Sequence, residues 1–247
     1  MSEIIKNVSV DCVIFGFDGV NLNILLINRT LIDDEGDVKF SDFTLLGYHI
    51  NRNDDLDTAA NSILHSLTGL SDLYLEQVFT SGDPNRLKNA RDKQWIESLG
   101  LDIDERTITI VYYSLVDTSK IKLSEANKNK ERKAQWFPID RLPDLGFDHK
   151  QLIEKTLEKL KEKALLEPVV FELLPEKFTI SQLQRLYEAI LGTTFDRRNF
   201  RKKLLQMRYI IPLNEKQQGV AHKPAQLFFF SREVYEKTRK EKYVISL

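Results

Sequence analysis

Apolar residues recur in two different periods along the first part of the chain. Short apolar runs bounded by polar or glycine-containing stretches predict strands, because a strand buried on one or both faces needs such a run. Residues 54–67 instead carry apolar side chains at helical spacing, with Asp54 or Asp55 placed to cap the helix and Gly69 placed to end it. The predicted strands are residues 9–17, 23–28, 43–50, 74–80, 107–116 and 134–137, and a second short helix is predicted at 92–99.

The pattern changes beyond residue 147. Residues 148–166 alternate apolar and charged side chains at helical spacing, which predicts a helix that packs against the first domain and leads out of it. Short helices follow at 169–174, at 180–191 with Thr179 as its cap, and at 196–206 with Asp196 as its cap, and strands follow at 209–213 and 225–230. Three helices and a β-hairpin in this order are typical of a winged helix-turn-helix domain. The predicted division is therefore residues 1–147, a linker helix at 148–166, and residues 167–247.

Charge is distributed unevenly between these parts. Residues 167–247 hold 15 lysines and arginines against 9 aspartates and glutamates, whereas the rest of the chain holds 21 against 28. The formal net charge of −1 hides this asymmetry. A basic carboxyl-terminal part joined to an acidic part indicates a nucleic-acid-binding unit attached to a unit with another role.

The predicted helix 196–206 carries the candidate DNA-reading residues. Arginine can pair with guanine and asparagine with adenine in the major groove, while lysine neutralises phosphates. The polar loop before the last strand suits a wing that contacts the DNA backbone or minor groove. A solvated basic face is the alternative, but here the basic run coincides with the helix order of a DNA-binding domain. The predicted DNA-binding residues are Arg197, Arg198, Asn199, Arg201, Lys202, Lys203, Lys216, Gln217, His222 and Lys223.

Other function classes find little support in the composition. The sequence has no apolar run of membrane-spanning length and no signal-peptide pattern at its start, so we expect a cytoplasmic protein with no membrane partner. Its single cysteine, Cys12, lies in an apolar run and is expected to be a buried structural thiol.

The order of strands and the helix ending in Leu67-Thr68-Gly69-Leu70 resembles the Nudix fold over roughly residues 8–163. When the last glycine of the Nudix signature is placed on Gly69, Leu64 and Leu70 match its aliphatic positions. The catalytic positions do not match, because Ser62, Ile63, Ser66 and Leu67 stand where the signature has one arginine and three glutamates. Tyr48, beside Gly47, falls at its first glycine, and Asp54 alone keeps a carboxylate, which is expected to cap the helix.

Nudix hydrolysis needs clustered carboxylates that hold Mg²⁺ against a diphosphate. The sequence therefore predicts no hydrolase activity, no catalytic residue, no bound metal and no cofactor. The expected fold is α+β, with a Nudix-like α/β/α sandwich followed by a winged helix-turn-helix domain. A pure dimerisation scaffold and an active hydrolase using carboxylates outside the signature remain alternatives, and a pocket that senses a small molecule is favoured.

Four stretches, residues 75–84, 146–149, 178–188 and 196–203, are similar to the Nudix-related transcriptional regulators of the NrtR type. The resemblance implies a homodimer on a palindromic double-stranded DNA operator, and a small-molecule effector that is a sugar or a nucleotide sugar. Some members of this family sense ADP-ribose and control NAD metabolism, whereas the arabinose-responsive AraR-type branch controls sugar utilisation. The degenerate signature favours a ligand without phosphates, so L-arabinose acting on a repressor of carbohydrate utilisation is the first expectation, with ADP-ribose as the alternative.

The ligand-binding residues are sought near the cleft where a Nudix substrate would bind. A pentose needs several hydrogen-bonding side chains around a small ring, together with an aromatic platform. Each candidate also has a structural interpretation, as an ordinary strand residue or as part of a solvated charge run. Likewise the pair Asp148–His149 suggests acid–base chemistry, although capping of the following helix is favoured. The predicted ligand-binding residues are Thr44, His49, Tyr112, Glu131 and Arg132.

Overall fold

A computed structural model describes residues 4–71, 73–87, 89–101, 106–121, 123, 133–219 and 223–239. Its first part is a seven-stranded sheet in the order β3-β2-β1-β6-β5, with β4 also paired to β1 and β7 to β2. The pair β1–β6 is parallel and the other pairs are antiparallel. The strands are β1 Ile4–Phe17, β2 Leu22–Ile32, β3 Val38–Thr44, β4 Leu46–Asn51, β5 Glu76–Ser81, β6 Ile108–Asp117 and β7 Ala134–Pro138.

Helices cover both faces of this sheet. Alternate residues of β1 point to opposite faces, and both sets are mainly apolar, so each face needs a helix to bury it. Val10 and Cys12 pack in one core cluster with the buried face of α1, Leu56–Thr68. Val13 and Phe15 belong to a second cluster with the buried face of α3, His149–Leu166. A further α-helix of this part is α2, Ala90–Ser98, which is capped by the side chain of Asn89. The arrangement is the expected α/β/α sandwich, and Cys12 is buried as predicted.

Two sequence predictions in this part need correction. The single strand predicted at 43–50 is two strands that break at Leu45, whose backbone N–H donates to His149 Nδ1 at 2.9 Å instead of to a neighbouring strand. Asp54 does not cap α1: its carboxylate accepts from Asn51 Nδ2, and the cap is Asp55, which accepts from the backbone N–H of Thr58.

The carboxyl-terminal part is a small helical unit with a two-stranded hairpin. Prolines shape its start: Glu167 and Leu174 each precede a proline and are extended, which ends α3 and confines the first predicted helix to a 3-10 helix at Pro168–Leu173. Thr179 caps the next helix in a reciprocal capping box with Gln182, and Asp196 caps the third. The elements are α4 Ile180–Leu191, α5 Arg197–Leu205, β8 Ile210–Lys216, β9 Gln226–Phe230 and α6 Arg232–Arg239.

The two parts share packing along α3. Leu152 and Leu160 of α3 lie in the same cluster as Val170, Leu183 and Phe200 of the winged-helix part. Helix α3 also contacts α4 and the 3-10 helix directly. Within the described residues, no helix combines the length and the apolar character needed to cross a membrane.

Candidate functional site

A cleft opens between the sheet, α2 and the segment that precedes α3. Its cavity volume is about 100 Å³, and the empty space around it, which includes open solvent, is about 760 Å³. Leu67 and Tyr48, which occupy two of the Nudix signature positions, both line it. The cleft therefore coincides with the place where the signature of a Nudix enzyme would meet its substrate.

The structure brings two of the predicted ligand-binding residues to this cleft. Thr44 and His49 both line it. Nδ1 of His49 is buried and has no hydrogen-bond partner among the described residues, and burial lowers the pKa of this imidazole. Tyr112 instead lies in the core cluster of α1, where its hydroxyl donates to Asp57 Oδ1 at 2.6 Å. Glu131 and Arg132 lie outside the described residues.

One wall of the cleft is a buried charge network around Arg86. Its Nη2 lies 3.2 Å from Asp11 Oδ2 and 3.1 Å from Asp148 Oδ1. Asp11 also accepts from the Thr109 hydroxyl at 2.7 Å. Burial alone would raise the pKa of Asp11, but His149, Arg86 and Thr109 outweigh it and hold that pKa well below its usual range. Asp148 occupies the N-cap position of α3, as predicted, but its side chain makes no capping bond and its carboxylate pairs with Arg86 instead.

His149 completes this network in one orientation. Its Nδ1 accepts from the backbone N–H of Leu45, so the imidazole proton sits on Nε2, which lies 3.5 Å from Asp11 Oδ1. A histidine fixed on both sides in this way positions the start of α3. The structure therefore gives Asp148 a structural role in ion pairing and His149 a structural role in hydrogen bonding.

A second buried network surrounds Arg29, which is 1% exposed. Its guanidinium donates two bonds to Asp42, at 2.7 and 2.6 Å, and its Nη2 lies 2.8 Å from Asp92 Oδ1. Its Cζ lies over the rings of Trp95 and Phe147, 5.7 and 4.6 Å from their centroids. Sequence reasoning missed these residues and Arg86, because nothing in their local patterns shows that they converge.

The Nudix signature positions carry no metal chemistry. Ser62 and Ser66 are exposed on α1, Ile63 is buried in its core face, and Leu67 presents an apolar side chain to the cleft. Hydroxyl and alkyl groups do not form the carboxylate set that Mg²⁺ prefers, so these residues do not fit a catalytic magnesium site. Among the described residues, no group of three or more histidines, cysteines or carboxylates is arranged to hold a metal ion.

Helix α5 presents a basic surface. Phe200 and Leu204 are buried, so at 100° per residue Arg198 and Lys202 lie on the opposite, outward side. The five predicted basic residues of α5 and Asn199 are all exposed. Arg197 lies nearer the core side, with Nη2 3.5 Å from Ser181 Oγ on α4.

The hairpin of the winged-helix part carries the remaining candidates. Lys216 ends β8 and pairs with Gln226 of β9, and its side chain is exposed. Gln217 is half-buried and Lys223 is exposed, whereas His222 lies outside the described residues. The hairpin thus exposes two lysines at or near its loop, the part that forms the wing in a winged helix-turn-helix domain.

Comparison with known proteins agrees with this geometry. Residues 170–230 match the family described as the NrtR DNA-binding winged helix domain. Over 232 residues the chain is 26% identical to the "ADPR responsive transcriptional repressor NtrR" of Acinetobacter baylyi, covering 92% of this chain and 83% of that protein.

Solved structures extend the similarity to the fold of the whole chain. The structure of Shewanella oneidensis NrtR complexed with a 27mer DNA is similar with a TM-score of 0.66 and 26% identity, over 92% of this chain and 94% of that one. A MutT/nudix family protein from Enterococcus faecalis is similar with a TM-score of 0.60 and 20% identity, over 92% and 88%. The expected fold class is confirmed: a Nudix-like α/β domain is followed by a winged-helix domain.

Proposed function

We propose that this protein is a DNA-binding transcriptional repressor whose Nudix-like domain senses ADP-ribose without hydrolysing it. The observation that carries the proposal is the exposed basic face of α5, within residues that match a DNA-binding winged-helix family. A relative that aligns with 92% of the chain is named as a repressor responsive to ADP-ribose. The arginines of α5 read bases in the major groove, and its lysines and those of the wing contact phosphates.

The DNA-binding half is tested with an operator selected by the protein from a random pool of double-stranded DNA. Fluorescence anisotropy then compares the wild type with a variant in which Arg197, Arg198, Lys202 and Lys203 are all alanine. The variant is expected to lose at least about 100-fold in affinity, because each base or phosphate contact contributes. Lys93→Ala, an exposed lysine on α2, is the control. An unchanged operator affinity in the fourfold variant contradicts DNA reading by α5.

The proposed assembly is a homodimer on a palindromic operator, since a two-fold protein places its reading helices on repeated half-sites about one helical turn apart. Sedimentation of the free protein and of its operator complex measures this assembly. Two protomers per duplex are expected, and a single protomer on a site without symmetry would contradict it.

ADP-ribose replaces L-arabinose as the proposed effector. The expectation of a pentose rested on the lost signature, but the relative named above supports the nucleotide sugar. The cleft supplies what an adenine base and two riboses need, namely an aromatic surface at Trp95 and Tyr48 and hydrogen-bonding groups such as Asn28, Thr44 and His49. NAD metabolism is accordingly the proposed target of regulation in place of carbohydrate utilisation.

Calorimetry with ADP-ribose, L-arabinose and other pentoses separates the two effectors. We expect ADP-ribose to bind and to release the protein from its operator, and the pentoses to do neither. Trp95→Ala is expected to weaken ADP-ribose binding about 10-fold, because base stacking on an aromatic ring contributes about 1–3 kcal/mol. Tyr74→Ala, an exposed tyrosine remote from this cleft, is the control. Binding of L-arabinose alone would overturn the assignment.

Sensing without catalysis follows from the signature positions. Incubation with ADP-ribose and Mg²⁺ is expected to leave the ligand intact, as followed by phosphorus NMR. Formation of AMP and ribose 5-phosphate, abolished by substitution within the cleft, would instead establish a hydrolase that uses carboxylates outside the signature.

A further inference from the structure

We propose that Gly146, Phe147, Asp148 and His149 form a latch that transmits occupancy of the cleft to α3 and so to the winged-helix domain. The inference rests on the proposed function and specifies how its two halves communicate. It follows from a strained residue, from the buried partners that hold it, and from its position between the cleft and α3.

Phe147 is the strained element of the latch. Its φ is +58°, and among the described residues other than glycine only Phe147 has a positive φ. Its backbone N–H donates to both carboxylate oxygens of Asp92, at 3.1 Å each, and its ring covers the guanidinium of Arg29. A bulky residue keeps a left-handed conformation only where surrounding contacts enforce it, and such residues cluster at ligand clamps and switches.

The other latch residues are each held by a different element. Gly146 donates to the carbonyl of Phe43, and Arg29 occupies the space that a Cβ on Gly146 would need. Asp148 pairs with Arg86, and His149 accepts from Leu45. These contacts fix one backbone path, so release of Phe147 repositions the whole segment. Packed segments of this kind switch between discrete arrangements and do not deform gradually.

The latch touches both the cleft and the helix that leaves it. Phe147 and His149 line the cleft, so a ligand there contacts the latch directly. Helix α3 begins at His149 and runs for 18 residues to Leu166, with Ala164 in the core cluster shared with the winged-helix domain. A change at its first turn is therefore carried along a rigid element to the DNA-binding part.

The carboxylate-to-amide variant Asp92→Asn tests the latch, because it weakens the hydrogen bonds to Phe147 and its own side chain does not line the cleft. It also removes one carboxylate partner of Arg29, so a second variant is needed. Asp144→Asn is its matched control, since Asp144 is exposed and, among the described residues, its carboxylate pairs with exposed Arg91. Phe147→Gly is a second variant, because glycine adopts positive φ without strain and has no ring to hold. Circular dichroism and operator binding without ligand establish that each variant is folded.

The measured quantity is the ratio of operator dissociation constants with saturating ADP-ribose and without it. For the wild type and Asp144→Asn we expect a ratio on the order of 10 to 100. Asp92→Asn and Phe147→Gly are each measured at an ADP-ribose concentration that saturates that variant. For both we expect a ratio below about 3. Ratios within about twofold of the wild type in both variants overturn the latch while leaving the proposed function intact. A wild-type ratio of 1 refutes the effector assignment and the latch together.

Hydrogen exchange gives a readout that needs no variant. The amide of Leu45 is bonded to buried His149, so it exchanges slowly while the latch is engaged. We expect saturating ADP-ribose to change its exchange rate at least about fivefold. An operator-releasing ligand that leaves this rate unchanged would also overturn the latch.

Discussion

Replacement of Arg29 by methionine is the sharpest test of the buried charge networks. The substitution keeps an unbranched side chain but removes the guanidinium that pairs with Asp42 and Asp92. Both carboxylates are almost fully buried, with side-chain exposures of 3% and 1%. Removing one partner of a buried pair leaves an uncompensated charge and costs about 3–5 kcal/mol, a large share of a typical stability of about 5–15 kcal/mol.

Urea unfolding followed by tryptophan fluorescence measures this loss. The protein has two tryptophans, Trp95 and Trp136, and both belong to the Nudix-like domain, so the signal reports that domain. With a slope of about 2 kcal/mol per molar urea, a loss of about 4 kcal/mol lowers the midpoint by about 2 M.

The control is Arg91→Met, which removes an exposed ion pair to Asp144 whose side chains are 54% and 72% exposed. An exposed pair of this kind contributes about 0–1 kcal/mol, so a midpoint shift below about 0.5 M is expected. If Arg29→Met shifted the midpoint no more than this control does, the reasoning that Arg29 compensates two buried carboxylates would be refuted.

Three further predictions concern acid stability, DNA reading and helix capping. Because the pKa of folded Asp11 is depressed, its stabilisation is present at neutral pH and is lost as the pH falls below about 4. In urea titrations at acid pH, the unfolding free energy of the wild type should therefore fall by up to about 1.4 kcal/mol per pH unit more than that of Asp11→Asn. Parallel plots of unfolding free energy against pH for the two proteins would contradict this. Arg198→Ala should weaken operator binding by about 1–3 kcal/mol and relax the preference for the operator sequence, whereas Lys202→Ala should lower the slope of log affinity against log salt by about one. An equal loss of affinity for all DNA sequences in both variants would contradict the assigned roles. Thr179→Ala should destabilise the winged-helix domain by about 1 kcal/mol in thermal unfolding, whereas an unchanged midpoint would argue against the capping box.

Local chemistry was sufficient to predict the exposed basic surface of α5. Asp196 accepts from the backbone N–H of Asn199, and Gly192 adopts a left-handed conformation at the end of α4. Both roles follow from residue type and from position next to an apolar periodic stretch. The basic residues that follow Asp196 are exposed on a helix whose buried face is set by Phe200 and Leu204 alone. Short-range signals therefore determined this surface.

The cleft could be predicted only in part, because its walls are built from residues far apart in sequence. Arg29 meets Asp42 13 positions away, but Arg86 meets Asp11 across 75 positions. Alternation along β6 shows that Tyr112 and its neighbour Tyr113 face opposite sides of the sheet, yet it does not show which side holds the cleft. Tyr112 is predicted from the sequence as a cleft residue, whereas the structure places it with α1.

Charge placement explains why this cleft suits sensing better than catalysis. A Nudix enzyme needs carboxylates directed at a metal and a diphosphate, and at the corresponding positions this chain has serines and apolar residues. The carboxylates that remain near the cleft, such as Asp11 and Asp92, are paired with Arg86 and Arg29 inside the domain. Among the described residues, a ligand in this cleft therefore meets no set of free carboxylates that could favour a transition state over the bound ground state. Its binding energy can still shift the equilibrium between two conformations, provided that the ligand contacts a segment whose position differs between them. Phe147 lines the cleft and has a left-handed backbone conformation, so the latch proposed above is the segment that a bound ligand would displace.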